Sequence, residues 1–238
     1  MRLLSILTVT KAEPYVPQFL HSLRNLANQT NAELVIAGDG PQSMNQLKSW
    51  GFGDEEVLVS VRSKGYIESV LDQAVNCCGG KYIFRIDDDE LVSPEMFHWL
   101  ANDKFTEADH WKFPRAHLWQ TSNLYITNAP LWPDHQTRLS VRKKAGARNF
   151  IHAGSPYGGG RLAPVVLEHA KFLVKTRAER QEIADRYDSF GVGLGSHGMT
   201  PFNLPEKAYE RMELRNIGEA VLQAKIDAET FLAEQKAV

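Results

Sequence analysis

Residues 81–89 read Lys81-Tyr82-Ile83-Phe84-Arg85-Ile86-Asp87-Asp88-Asp89, a mostly apolar run that ends in consecutive carboxylates. Gly79-Gly80 precedes it and Ser93-Pro94-Glu95 follows. Glycine stops a helix, and serine followed by proline starts one, so the run between them is short and bounded. Residues 81–86 are therefore expected as a buried strand that delivers its acids at the carboxyl end. A helix should open at Pro94, with Ser93 as its cap.

The N-terminal flank repeats the pattern. Residues 3–9 read as a first strand, and Val16, Phe19, Leu20, Leu23, Leu26 and Ala27 then fall at helical spacing. Residues 33–37 are a second strand running into a turn at Gly38-Asp39-Gly40-Pro41, and residues 57–61 are a third. Ile67, Val70, Leu71, Ala74 and Val75 mark the helix that Gly79-Gly80 stops. Strand–helix alternation predicts an α/β fold, a Rossmann-like and mostly parallel sheet flanked by helices. Ligands of such sheets sit beyond the carboxyl ends of the strands. Residues 8–11, Asp39, residues 62–64 and Asp87 to Asp89 should then converge on one crevice.

The C-terminal side is less regular. Residues 110–119 and 138–142 look strand-like, and residues 165–167 form a short strand leading to His169. Thr176-Arg177-Ala178-Glu179 is a capping box for a helix to about Tyr187. The glycine-rich stretch 154–160 suggests a flap, 191–198 a linker, and Pro205 onward a long helical tail. The division that follows is a catalytic domain over 1–175 and a helical C-terminal extension over 176–238.

With 238 residues, 43% of them hydrophobic, the chain can bury one sizeable core, and a net charge of −2 argues against a nucleic-acid backbone binder. Cys77 and Cys78 are adjacent, which suits neither a disulfide framework nor a zinc site. No apolar run approaches a membrane span and the N-terminal run lacks a cleavage pattern, so a cytoplasmic location is expected.

Asp87 and Asp89 alternate along an extended segment, so their carboxylates point the same way. Two such groups repel unless a cation lies between them, and an oxygen-rich site suits Mg²⁺ or Mn²⁺, which in turn binds substrate phosphates. The plainer alternative is a polar loop of helix-capping acids.

In the order and spacing of Ser5 to Thr10, Leu34 to Gly40, Tyr82 to Asp89 and Trp132 to Leu139, residues 1–175 resemble glycosyltransferase family 2, whose nucleotide-sugar transferases share the GT-A fold. The resemblance implies that Thr8, Val9, Thr10 and Asp39 contact the base and ribose of a nucleoside-diphosphate sugar. It implies Asp87 facing ribose or metal and Asp89 as main metal ligand. His169 falls where a late histidine completes the metal shell in relatives. Asp88 and Lys64 join the donor site at the same strand ends, and Arg138 is a partner for the diphosphate, with Arg142, Lys171 and Lys175 as further cations. Asp134 stands at about the place of the family's catalytic base, with His135 and His152 as weaker candidates. An Asp bracing the turn after Trp132-Pro133 and a strand-end histidine bonded to backbone are the plain alternatives for Asp134 and His169. Gly38 replaces the first of two acids common in relatives, and an asparagine common near Lys64 is absent.

The implied reaction is sugar transfer to an acceptor hydroxyl, with inversion as the family's expectation. The acceptor (glycan, lipid, protein or modified base) is open. Trp111, Trp119, Tyr125 and Trp132 suggest either an acceptor-stacking wall or core packing. Competing readings are a sugar-phosphate nucleotidyltransferase, for which Tyr157 to Pro164 would be the glycine-rich loop, and a non-catalytic nucleotide- or carbohydrate-binding module.

Overall fold

The computed structural model describes residues 2–145, 160–190, 204 and 206–236. The first half runs β1 (Leu4–Thr10), α1 (Val16–Thr30), β2 (Glu33–Asp39), α2 (Pro41–Ser49), β3 (Val57–Val61), α3 (Glu68–Asn76), β4 (Tyr82–Arg85), β5 (Glu90–Val92) and α4 (Pro94–Ala101). The second half runs β6 (His110–Trp119), β7 (Thr121–Ile126), β8 (Asp134–Val141), β9 (Arg161–Leu162), β10 (Leu167–His169), α5 (Lys171–Val174), α6 (Arg177–Asp188), α7 (Glu206–Tyr209), β11 (Leu214–Asn216) and α8 (Ile217–Lys236). The expected linker, His152, and all of the expected flap except Gly160 lie outside the described residues.

The strands join in the order β11-β7-β6-β8-β4-β1-β2-β3, with β9 beside β6 and β10 bridging β5 and β6. The pairs β1–β2, β2–β3 and β1–β4 are parallel, while β4–β8, β8–β6, β6–β7 and β7–β11 are antiparallel. Alternation along the central strands feeds two cores. Leu4, Ile6, Leu34 and Ile36 pack with Val16, Phe19, Leu20 and Leu23 of α1. Leu7, Val9, Val35 and Ala37 face the other way, onto Val70, Leu71 and Ala74 of α3. Side chains on successive strand residues point to opposite faces, so a strand buried on both faces must be apolar throughout.

Gly80 is held by close approach of β1. Its N–H donates to Ser5 Oγ at 2.8 Å, and a Cβ there would meet Ser5 N at 2.5 Å and Leu4 C at 2.7 Å. Backbone cannot yield as a side chain can, so Gly80→Ala should destabilise the fold by about 1–3 kcal/mol, the usual range for overpacking. Urea denaturation measures it; an unchanged midpoint would mean that the β1–α3 junction is loose.

Several expectations shift. Gly38 and Asp39 end β2, and Pro41 opens α2, a helix whose buried face is only Ser43 and Leu47. Residues 134–137 extend β8, and the short strand expected over 165–167 lies at Leu167–His169. The capping box at Thr176 and Glu179 is formed as expected. The tail is helical but broken by β11, which pairs with β7.

Candidate active site

A cleft of about 680 Å³ opens at the carboxyl ends of the parallel strands. Val9, Thr10, Asp39, Asp87, Asp88, Asp89, Asp134, Arg138 and His169 all line it, so the expected convergence holds for these residues. Thr8 and Lys64 are not in its wall. Thr8 lies inside β1, fully buried, and Lys64 is exposed, while its neighbours Ser63 and Gly65 line the cleft instead. One side is closed by α6, through Glu179, Glu182, Ile183, Arg186 and Tyr187. Of the two readings of the aromatic residues, core packing is the one the structure shows. Trp111, Trp119 and Tyr125 are buried, and Trp132 packs on Tyr125 with ring centres 4.9 Å apart. Exposed His135 lies outside the cleft wall, and Arg142 spends Nη1 on the Cys78 carbonyl at 2.7 Å.

Asp39 builds the left-hand end. Its carboxylate accepts from Ser63 N at 2.8 Å and Ser63 Oγ at 2.6 Å, which pins the loop after β3. Each oxygen retains a second lone pair for a ligand.

The centre is the acidic run after β4. Asp88 accepts from Thr10 Oγ1 at 2.6 Å, yet burial and then the Asp89 charge push its carboxyl up to about 7. Asp87 is also raised, by burial against the opposing Arg85 charge. Burial would raise Asp89 too, but His169, Lys171 and Lys175 hold it well below the usual carboxylate range. Three adjacent carboxyls repel one another unless positive charge lies among them.

Beneath them lies a buried ion network that the sequence did not reveal. Glu90, fully buried at the start of β5, accepts from Arg138 Nη2 at 2.6 Å and Arg115 Nη1 at 3.1 Å. Arg138 also holds Asp87 Oδ2 through Nη2. Arg115 donates to Asp134 Oδ2 through Nε at 2.9 Å and Nη2 at 2.6 Å. His117 reaches the same oxygen at 3.0 Å, and Gln136 donates to Oδ1 at 2.6 Å. Burial raises the Asp134 carboxyl, but His117 and Arg115 outweigh it and hold it well below the usual carboxylate range. A general base works best with a pKa near the working pH. Asp134, expected as the base, lines the cleft with both carboxylate oxygens engaged, Oδ2 by Arg115 and His117 and Oδ1 by Gln136.

Metal ligation was also expected, and the residues are compatible with it. Asp89 Oδ1 lies 3.3 Å from His169 Nε2, and Asp87 Oδ1 is buried with no hydrogen-bond partner. Among the described residues, no group of three or more His, Cys, Asp or Glu side chains is placed to cage a metal ion. Mg²⁺ in particular needs no such cage, because it keeps waters and takes one or two carboxylates plus substrate phosphates.

Comparison with known proteins bears on the same half of the chain. Residues 5–107 match the family described as glycosyl transferase family 2. The match runs from Ser5 of β1 through α4 and includes the acidic run. A search of curated proteins found no match. Among solved structures, S. aureus TarS 1-349 is 12% identical, with 79% of this chain and 66% of that one covered and a TM-score of 0.47. The same TarS fragment in complex with UDP covers 61% of this chain and 48% of its own at 13% identity and TM-score 0.41. The bifunctional IspDF from Campylobacter jejuni covers 60% of this chain and 42% of its own at 15% identity and TM-score 0.39. The chain therefore spans just under two thirds of the TarS fragment and less of IspDF. No helix among the described residues is long and apolar enough to cross a membrane.

Proposed function

We propose that the chain is a glycosyltransferase that moves a sugar from a nucleoside-diphosphate sugar to an acceptor hydroxyl, aided by Mn²⁺ or Mg²⁺. The observation that carries this reading is a set of buried groups of both signs in one cleft that, among the described residues, lack hydrogen-bond partners. Arg138 Nη1 and Arg85 Nη1 have no acceptor, and Arg85 Nε and Asp87 Oδ1 face each other only as a loose ion pair at 3.9 Å. Buried polar atoms are normally paired, so such a set implies a ligand that carries anionic oxygens and a cation together. A metal-bound diphosphate has that form.

In this reading the nucleoside lies toward Asp39 and Ser63, and the diphosphate lies over Arg138, Lys171 and Lys175. Asp87, Asp89 and His169 would hold the cation, whose chemistry when bound is to neutralise the departing diphosphate. The acceptor oxygen bonds to the anomeric carbon as the bond to the diphosphate breaks, and the acceptor proton leaves with a base. Inversion at that carbon is the corresponding stereochemistry. Asp134 stands on the β8 side of the acidic run, away from Asp39, where it fixes Arg115 and His117.

The test is a thermal-shift panel of nucleoside diphosphates and their sugars, with and without Mn²⁺. A ligand at about 100 times its Kd stabilises by about 2.7 kcal/mol, or roughly 5–11 °C for a chain of this size. Stabilisation by nucleoside triphosphate with sugar 1-phosphate, and release of pyrophosphate, would favour the nucleotidyltransferase reading instead. Shifts absent from every arm would sink the nucleotide site. Within that panel, Asp39→Ala should lose about 1.5–3 kcal/mol of nucleoside diphosphate affinity, the worth of hydrogen bonds to a charged group. Undiminished affinity in a folded Asp39→Ala protein would move the nucleoside elsewhere.

A further inference from the structure

Glu13 stands in the loop between β1 and α1, and it lines the cleft together with Lys175, the residue that closes α5. Its Oε2 accepts from Lys175 Nζ and from Tyr15 Oη, and Lys175 Nζ also donates to Tyr15 Oη at 2.8 Å. The ammonium lies 4.8 Å from the centre of the Tyr15 ring. The three side chains form a closed triangle, each bonded to the other two. The loop is shaped to make it. Ala12, at φ 58°, adopts a left-handed backbone that alanine disfavours, and Thr10 Oγ1 holds its N–H at 2.9 Å. A residue other than glycine keeps such a conformation only where its surroundings impose it.

Burial gives the triangle its purpose. The Lys175 side chain is 9% exposed and that of Glu13 is 38% exposed. An ammonium taken that far from water needs a counter-charge. Lys175 is close enough to the acidic run to help hold Asp89 down, yet the carboxylate it bonds is that of Glu13. In the empty cleft its charge is therefore already spent. A diphosphate over Lys175 brings anionic oxygens of its own, and the lysine then has two anions to choose between. A bond to the ligand is made at the expense of the bond to Glu13.

We propose that Glu13 is an internal competitor for Lys175, which stabilises the empty cleft and holds down its affinity for a nucleoside diphosphate, the product that must leave. The inference rests on the placement of the diphosphate given above, and adds to it the residue that sets how tightly that group is held. The competing contact lies between an exposed ion pair and a buried hydrogen bond to a charged group. Removing it should tighten nucleoside diphosphate binding about 5–10-fold.

The experiment compares the full chain with Glu13→Gln, Lys175→Met and the double variant. Each is titrated by calorimetry with UDP, GDP, ADP and CDP in the presence of Mn²⁺, and each is melted without nucleotide. Glutamine keeps an oxygen for Lys175 and Tyr15 but gives up the charge. Glu13→Gln should bind the preferred nucleotide about 5–10-fold more tightly than wild type, while its empty form melts at a lower temperature. A merely structural role for Glu13 would lower both. Lys175→Met should bind more weakly than wild type, and adding Glu13→Gln to it should change affinity by about twofold or less. Glu13→Gln that binds no more tightly than wild type overturns the inference. So does a gain of the same size in the Lys175→Met background, which would mean plain repulsion of the ligand by Glu13. Wild type that binds none of the four nucleotides overturns the proposed function and this inference with it, whereas the other two failures leave the proposed function standing.

Discussion

Asp89→Ala should bind a nucleoside diphosphate equally well with and without Mn²⁺, because the metal-dependent part of binding is lost entirely. Asp89 is the one acid of the run that its surroundings keep firmly ionised, and its Oδ1 faces His169 Nε2 at 3.3 Å. The substitution is suited to the question because the structural duty of Asp89 is carried by its backbone. Its carbonyl accepts from Ala170 N at 2.7 Å and so ties the acidic run to β10. Alanine keeps that bond. Titration calorimetry of UDP with both proteins, at fixed ionic strength, reads the difference. Equal Mn²⁺ enhancement in wild type and variant would remove Asp89 from the cation site, and a variant that has lost its cooperative thermal transition would show that the side chain is structural.

Asp134→Asn should cost the protein stability together with transfer activity. The carboxylate neutralises Arg115 and orients His117, and it is 19% exposed beside an arginine that is 12% exposed. Breaking a buried pair by removing one charge costs about 3–5 kcal/mol. Partial exposure places this site at the low end, about 3 kcal/mol, or roughly 6–12 °C in melting temperature. Asparagine still offers an oxygen to His117, but it turns an amide N–H₂ toward donors that need an acceptor. Were Asp134 the general base, the pattern would be the reverse. Transfer would fall by about 10²–10⁴ while the melting temperature and donor affinity stayed put. Measuring transfer and melting on one preparation decides between the two roles.

The parallel half of the sheet was legible because its central strands are buried on both faces. Residues 34–37 have no polar face to confuse with a helical stripe, the edge strand 57–61 keeps four apolar residues although it exposes Val57 and Ser60, and glycine and proline bound the runs between them. The acidic run stood out for the same reason, as charge at the end of an apolar strand. The antiparallel half was harder. β7 begins Thr121-Ser122-Asn123, all exposed, and only Leu124 to Ile126 carry apolar signal. Glu90 had no pattern to mark it, being a fourth acid after three. Arg115 and His117 did have one: two polar residues two apart in the mostly buried β6 share one face of the sheet. Polar groups inside an apolar strand must find partners, and here they find Asp134, Glu90 and His169. The tryptophans left two readings open because sequence density does not say which side of a sheet a ring takes. Trp111 sits at 5.0 Å from Trp99, inside the core.

β11 covers the outer side of β7 with three residues, Leu214, Arg215 and Asn216. A strand edge without a neighbour is a row of unpaired N–H and C=O groups that invites another chain to pair with it. β7 would be such an edge, and its inner half, Leu124-Tyr125-Ile126, has the aromatic and branched character of segments that self-associate. The strand that replaces it at the border is too short to template much, and it carries an exposed charge at Arg215. The C-terminal tail thus shields the molecule against aggregation, a service to solubility that is separate from any contribution to the cleft.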